Sequence, residues 1–551
     1  MDKRTLIAFG LIAIVLILTP WYLDFVAPIP DDLPADRPIS STPSNPKIPI
    51  TENTDKSQNF EETRRVEPAY PDKEIQIQNG LYTATLSSYN GGSFSSFVLN
   101  NFGRYDSTLV NLIDGRSKNN MAISFVSLEG ENVRLENNWR PLSSRQSFSV
   151  RSKQENVSFE TLYRGYKIRK TYSFYPESYK IGLSLTFDRP EKYISRGEYV
   201  VSWLGGIAPT EKNIKDEFTY FKGYAYLGDE LLEPGAPNEQ SSSEKQSGNT
   251  RWTAVKTKYF ISALIPQSPG SGAEVRGKTV NKRPLYDTRL RQAVNSTNKF
   301  DLYFGPLEYG RILALGVDLE KTMNLGWTIF RPLGRLVTWS LTKMYGIIPN
   351  YGVVVIVFAF LVKILLNPLT KKQFQSTKKM QALQPQIQNI KEKYKNDPQK
   401  LNRAQMALFK EKGVNPMGGC LPLLLQMPIL ISFFTVFRST IEFRGAPFFA
   451  WITDLSSPDT IATIAGLPIN VLPFLMGITM FLQQKLMATP GGGNQQKMMM
   501  YFMNVFFLFL FYTFPSGLNL CYSVFNLLSI VQQKYLTPAA PKPALTEPKK
   551  K

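Results

Sequence analysis

The chain has 551 residues, too many for one compact core, so several separately folded regions are expected. Lys and Arg total 64 against 44 Asp and Glu, and the net charge of +20 calls for an anionic partner such as phospholipid or RNA. With no histidine, Ser-His and Cys-His nucleophile pairs, histidine-ligated zinc and histidine phosphorelay are all excluded.

Along the chain the apolar residues collect into blocks of about membrane thickness, separated by polar, turn-rich sequence. Lys3 and Arg4 precede the apolar run Leu6 to Leu18, which is followed by Pro20, Trp21 and Tyr22. A cleaved secretory leader and a retained transmembrane anchor over residues 1–26 both fit this run. The lack of an A-x-A site and the aromatic pair at its far end favour the anchor. Either way the next region is sent across the membrane. Residues 27–73 carry nine prolines with almost no apolar clustering, which predicts a disordered tether.

Over 74–310 the period switches to two: Ile75 and Ile77, and later Ile181, Leu183, Leu185 and Phe187. Asn90-Gly91-Gly92, Asp114-Gly115 and Tyr175-Pro176-Glu177 punctuate these strands as turns. The pattern predicts a large antiparallel β-sandwich, which the apolar run before it places on the outer side. Tyr163, Tyr166, Tyr172 and Phe174 could stack on a sugar, but packing against a second sheet is their favoured use. No site is assigned there.

Residues 327–345 read as an amphipathic helix. Ile329, Phe330, Leu333, Leu336, Val337, Leu341 and Met344 form one stripe, with Arg331, Arg335, Thr338 and Thr342 opposite. A helix lying along the membrane surface and a last helix packed on the sandwich both fit. A crossing follows at 350–370, then a basic segment at 371–415 and four more crossings within 416–537: 418–437, 468–487, 499–514 and 516–536. Cys420 and Cys521 lie in these apolar stretches and read as packing residues.

Between Lys371 and Lys412 eleven Lys and Arg face three acids, and the tail at 538–551 adds Lys542 and Lys549 to Lys551. Both therefore belong in the cytoplasm, which places both termini inside and the β-domain outside. Met380, Leu383, Ile387, Ile390 and Tyr394 step by three and four. Asn396-Asp397-Pro398 breaks the pattern, and Leu401, Ala404 and Leu408 resume it, so the segment predicts a basic two-helix hairpin. Its charge serves topology alone or also meets phosphate, without base reading.

Lys363 is the one formal charge deep in a span. An ion near the bilayer centre costs about +2.5 to 3.5 kcal/mol, so the side chain either faces a polar interior or snorkels toward the cytoplasmic headgroups. Gln426, Gln483, Gln484, Asn504, Asn519, Tyr522, Ser523 and Asn526 could line such an interior with it or act as glue between helices. The five C-terminal spans hold no Asp or Glu, and there is no G-x-x-x-x-G-K-[ST] loop. Neither carboxylate relays nor nucleotide hydrolysis is available to drive this core, and no cofactor is called for.

Three runs carry a resemblance: Asn367-Pro368-Leu369-Thr370, Leu383-Gln384-Pro385-Gln386-Ile387 and Val414-Asn415-Pro416-Met417-Gly418-Gly419-Cys420-Leu421-Pro422 continuing to Gln426-Met427-Pro428. With Phe514-Pro515-Ser516-Gly517-Leu518 and Gln532-Gln533, they make the region 327–537 closely similar to the YidC membrane-protein insertase family. The resemblance implies an α-helical polytopic core of five helices plus an N-terminal anchor, a periplasmic β-sandwich and a cytoplasmic hairpin. It implies an inner-membrane insertase and chaperone, not an enzyme, that passes nascent membrane proteins through a hydrophilic groove, alone or with the Sec translocon, and meets ribosomes and anionic phospholipids.

By the same resemblance Lys363 falls on the groove's cation position, usually arginine. Gln426 matches a polar groove residue and Tyr522 a substrate-contacting aromatic. Cys521 and Thr513 stand where some relatives have tyrosine and tryptophan. Lysine keeps the charge but lacks arginine's fork of donors. The alternative reading is a small-solute transporter or channel, against which five unrepeated spans without acids speak.

Overall fold

The computed structural model describes residues 70–113, 120–235, 241–323, 331–395, 397–413, 421–464, 467–487 and 494–536. The predicted anchor, most of the proline-rich tether, the Asp114-Gly115 turn, residues 327–330 and 414–420 and the basic tail lie outside them, as does the side chain of Gln426. The chain forms two units, divided between Pro306 and Leu307.

Alternation builds the first unit. In the strand Lys180–Phe187, Ile181, Leu183, Leu185 and Phe187 all point into the core. A five-stranded sheet runs Leu109–Asn111, Ser93–Gly103, Tyr82–Ser87, Glu74–Asn79, Ser147–Val150. A fourteen-stranded sheet packs against it, with Thr297–Pro306 between Lys180–Phe187 and Phe260–Pro266. The core is aromatic: Phe97 of the small sheet lies 4.3 Å from Phe304 of the large one, and Phe94 meets Tyr172 edge-on at 5.9 Å. Tyr163, Tyr172 and Phe174 are buried in this packing, and Tyr166 stacks on Tyr193 at 5.4 Å.

Among the described residues the predicted antiparallel pattern has one exception. Glu74–Asn79 runs parallel to Ser147–Val150, with Gln76 opposite Ser147. No hairpin joins these strands, so no turn dictates their relative direction. The Asn90-Gly91-Gly92 turn forms as predicted, with φ of 53°, 67° and 99°. Trp139 covers it so closely that a Cβ on Gly91 would lie 2.5 Å from the ring.

One inward position is charged. Ile168, Lys170, Tyr172 and Phe174 share the buried face of Tyr166–Phe174. Lys170 Nζ donates to the carbonyl oxygens of Asn90 and Met121 at 2.5 and 2.7 Å, tying two turns together beside the Trp139 ring. Burial pulls its ammonium down to about 7.

The second unit is helical. Its helices are α1 (Tyr309–Leu313), α2 (Arg331–Tyr345), α3 (Tyr351–Leu365), α4 (Asn367–Ala382), α5 (Gln384–Lys393), α6 (Pro398–Glu411), α7 (Leu421–Ser439), α8 (Leu472–Met487), α9 (Asn494–Phe511) and α10 (Ser516–Val531). Prolines set the breaks: Pro368 and Pro385 sit in the first turns of α4 and α5, where a missing N–H costs nothing. The hairpin predicted with two helices is therefore corrected to three, because Pro385 interrupts the stretch that the spacing reads as one first helix. Leu383, Ile387 and Leu408 form its core with Met380, Ile390 and Phe409 around them. The Asp397 carboxylate caps α6 by accepting from Lys400 N at 3.0 Å.

Val337 and Leu341 of α2 enter the main apolar cluster with Val354, Val355 and Ala359 of α3, Phe433 and Phe437 of α7, Met476 of α8 and Leu518 of α10. The predicted stripe of α2 needs correction. Thr338, placed on the polar side, is buried beside Val337, while Leu336 is 56% exposed. The helix packs one face on α7 and α3 and leaves Leu336 and Trp339 on another, which a single stripe does not describe.

Among the described residues no helix is long and apolar enough to cross a membrane. The segments predicted as crossings do appear as helices: α3, α7, α8, α9 and α10 have 15, 19, 16, 18 and 16 residues.

The loop between α7 and α8 is held by two carboxylates. Asp459 Oδ2 accepts from Leu472 N at 2.7 Å, Val471 N at 3.0 Å and Trp451 Nε1 at 3.0 Å. Asp454 Oδ1 accepts from Gly445 N and Ser456 N. The Pro515-Ser516-Gly517 turn is clasped to the same loop: Ser516 N donates to Ser457 O and Gly517 N to Leu455 O, while Ser516 Oγ donates to Asp454 O.

Candidate functional site

Helical periodicity decides where Lys363 points. Val355, Ala359 and Lys363 follow at intervals of four on α3 and form its inward row. Lys363 is only 7% exposed, whereas its neighbour Leu365 is 76% exposed, and Phe360, Leu361 and Ile364 share that outward side. The ammonium is thus turned into the helical unit, toward α10.

There Lys363 Nζ donates to Ser529 Oγ at 2.7 Å, and Ser529 Oγ donates in turn to Phe525 O at 2.8 Å. The ring of Phe525 lies 4.8 Å from Nζ and that of Phe374 5.9 Å. Among the described residues no carboxylate pairs with this charge. A cation held by one hydroxyl and two ring faces keeps free donor capacity, since an ammonium carries three N–H groups.

Ser529 belongs to a polar seam along α10. Asn519, Ser523, Asn526 and Ser529 step by four, three and three, so they share one side of the helix, and all are buried. Asn519 Nδ2 donates to Phe511 O at 3.2 Å, Ser523 Oγ to Asn519 O at 2.8 Å and Asn526 Nδ2 to Thr479 Oγ1 at 3.4 Å. Past Ser529 the seam continues into Gln532, whose amide donates to Asn367 Oδ1 and to Thr370 Oγ1, and Gln533, which donates to Leu486 O at 3.0 Å. Asn519 Oδ1 and Gln533 Oε1 are buried oxygens with acceptor capacity left over.

Tyr522 stands on the same helix, half-buried, with its ring 5.7 Å from Phe511 and against the apolar cluster. It is two turns from Ser529, or about 10 Å along the axis by helical rise. The structure therefore brings Lys363 to the helix that carries Tyr522, at a different level. Of the other polar residues, Asn504 Nδ2 donates to Gln484 Oε1 at 2.5 Å across α9 and α8. Cys521 is a buried free thiol in the apolar cluster. No group of three or more metal-binding side chains occurs among the described residues.

Sequence reasoning missed Ser529, Thr479 and the Gln532–Asn367–Thr370 group. Extending the Asn519, Ser523, Asn526 spacing by one more step would have reached Ser529.

Comparison with known proteins gives consistent matches. The family model described as "60Kd inner membrane protein" matches residues 343–542, and that described as "YidC periplasmic domain" matches residues 74–338. The chain is 35% identical to "Membrane protein insertase YidC" of Chlorobium limicola, over 99% of this chain and 97% of that one. It is 34% identical to the protein of the same name from Pelodictyon phaeoclathratiforme, over 97% and 94%. A solved structure titled "Active YidC insertase crystal structure with the first transmembrane domain resolved" matches 86% of this chain and 95% of that one, at 20% identity and a TM-score of 0.38.

Proposed function

The chain belongs to the YidC membrane-protein insertase family, and from that premise we propose that Lys363 and the polar seam of α10 form the wet path along which it passes its substrates. It is an inner-membrane protein with a periplasmic β-domain, and its substrates are nascent membrane proteins. The observation that carries the proposed path is the inward cation: Lys363 turns away from the apolar side of α3 and donates to the Ser529 hydroxyl of the polar seam on α10.

Outward-facing apolar residues support a membrane setting for the second unit. Phe360, Leu361 and Leu365 of α3, Val505 and Phe509 of α9 and Leu527 and Val531 of α10 are all exposed, more apolar surface than a water-facing bundle would show. The proposed arrangement is an anchor at 1–26, a tether at 27–73, a periplasmic domain at 74–310, an interfacial helix at 327–345, a crossing at 350–370, a cytoplasmic hairpin at 371–415, four crossings at 416–537 and a tail at 538–551. Both termini face the cytoplasm. The basic hairpin and tail would meet the ribosome or anionic phospholipid, and the Sec translocon would share substrates.

The driving force is differential solvation. Each Leu, Ile, Phe or Val near the bilayer centre contributes about −0.3 to −0.6 kcal/mol, so some twenty apolar residues offset several polar ones. The polar flank of a substrate enters the seam while its apolar part leaves for lipid. Lys363 attracts acidic residues of that flank, and Gln426 and Tyr522 are the further residues expected to contact it. No bond is made or broken, and no nucleotide is consumed.

Site-specific photocrosslinkers at positions 363, 426 and 522 test the path with a stalled nascent chain. Adducts at these positions, and weaker ones at Val505 on the exterior, are the expected result. A chain that crosslinks at 505 but at none of the three would reject the path.

A further inference from the structure

The segment between α7 and α8 carries a feature that the insertase reading does not use. Residues Thr460–Ile464 and Leu467–Asn470 form a two-stranded antiparallel hairpin, with Ile464 opposite Leu467 and Ala462 opposite Ile469. Nothing else pairs with it among the described residues. Ile461 is 52%, Ile464 63% and Leu467 72% exposed, and the exposed rings of Phe449 and Trp451 belong to the same loop. From 460 to 470 there is no charged residue.

Such a hairpin is unsuited to water. Two strands alone are marginal, and an uncharged, β-branched segment with free edges is an aggregation hazard that water-facing hairpins blunt with lysine or other charges. Its base, in contrast, is firmly built. Thr460 Oγ1 donates to Asn470 Oδ1 at 2.7 Å, Asn470 Nδ2 to Tyr512 O at 2.7 Å, and the Tyr512 hydroxyl to Pro468 O. Asp459, just before the hairpin, caps the first residues of α8 and holds Trp451 by its indole N–H. These bonds fix the hairpin to the beginning of α8 and the end of α9, at the same end of two neighbouring helices.

We infer that this hairpin is a lipid anchor: its apolar side chains, with Phe449 and Trp451, sink into the outer-leaflet interface beside α8 and α9. The inference rests on the proposed reading that these helices cross the membrane. Under that reading the helix ends mark the membrane boundary, so the hairpin is pinned where lipid begins. Lipid is the occupant that the surface fits. It offers no charge for a polar partner to pair with, its aromatic members suit the headgroup level, and it continues directly into the outward apolar side of the helices. The anchor would steady the outer end of the insertase while substrate moves past α10.

The test uses the full chain with Cys420→Ser and Cys521→Ala, reconstituted in phosphatidylethanolamine–phosphatidylglycerol vesicles. A nitrobenzoxadiazole probe is attached at Ile464→Cys or Leu467→Cys. References are Lys212→Cys, exposed on the β-domain, and Val505→Cys, exposed on α9. The anchor predicts strong quenching of both hairpin probes by lipids with a nitroxide near the headgroup, weaker quenching by a deep nitroxide, and several-fold less iodide quenching than at 212. That corresponds to a depth of about 5–10 Å. Iodide access equal to that at 212 would overturn the inference, and so would shielding from both iodide and nitroxide, which means a protein cover. Absence of nitroxide quenching at 505 would instead defeat the membrane reading of the bundle, so the two failures are separable.

Discussion

Replacing Gly517 with alanine should destabilise the second unit by about 2–3 kcal/mol, although alanine is the better helix former. Gly517 opens α10 where the chain turns from α9, and its position is closed on two sides. A Cβ there would lie 2.8 Å from the Phe437 ring and 3.0 Å from Leu455 O. Phe437 is buried in the apolar cluster and has no room to retreat. Leu455 O is the acceptor for Gly517 N at 3.0 Å, so pushing it away weakens the clasp on the loop between α7 and α8. Overpacking costs about 1–3 kcal/mol and a weakened backbone hydrogen bond about 0.5–1.5, against a helix-propensity gain of about 0.5–1. Thermal unfolding of the purified full chain in detergent, followed by tryptophan fluorescence, measures this. Gly310→Ala in α1 is the control, since nothing lies within 4 Å of its added Cβ. An unchanged transition for Gly517→Ala, or an equal loss for Gly310→Ala, would refute the reasoning.

Two further outcomes follow from buried charges outside the proposed spans. Burial moves Lys170 from 10.5 to about 7, so between those values the unfolded chain holds a proton that the folded chain lacks, and stability rises with pH. The burial penalty is fully present below about 7 and relieved above it. The melting point of the first unit should therefore rise from pH 7 to 9, and rise less in Lys170→Met; parallel pH profiles for the two proteins would contradict this. Asp459→Ala strips three donors of their acceptor, so amide hydrogen exchange over the first turn of α8 should quicken by about tenfold or more, the factor that a hydrogen bond to a charged group implies. Unchanged protection there would show that the cap is dispensable.

What the sequence disclosed depended on whether a pattern was local. Ile181, Leu183, Leu185 and Phe187 declared their face because a strand alternates regardless of its partners. The hairpin core at Leu383, Ile387 and Leu408 was legible for the same reason, and Lys363 stood out as one charge in an apolar run. The parallel pairing of Glu74–Asn79 with Ser147–Val150 was not legible, since strands distant in the chain leave no mark of their register. Thr338 was misassigned because a helix that packs on one side and is exposed on another has two apolar faces, which one stripe averages away. Ser529 escaped notice because a serine in an apolar helix bonds its own preceding turn as readily as a neighbour; here it does both. Lys170 was readable in principle, as it shares the inward alternation of Ile168, Tyr172 and Phe174.

The role given to Lys363 is tested most directly by insertion itself, with wild type, Lys363→Arg and Lys363→Glu reconstituted in vesicles and offered a substrate whose outer tail is acidic. Opposite charges 4 Å apart attract by about 1 kcal/mol in bulk water and about 4 at an effective dielectric of 20, and reversing the sign turns this into repulsion of the same size. The account predicts near-normal insertion by the arginine variant and at least a tenfold drop, about 1.4 kcal/mol, for the glutamate variant. Equal insertion by both would contradict it.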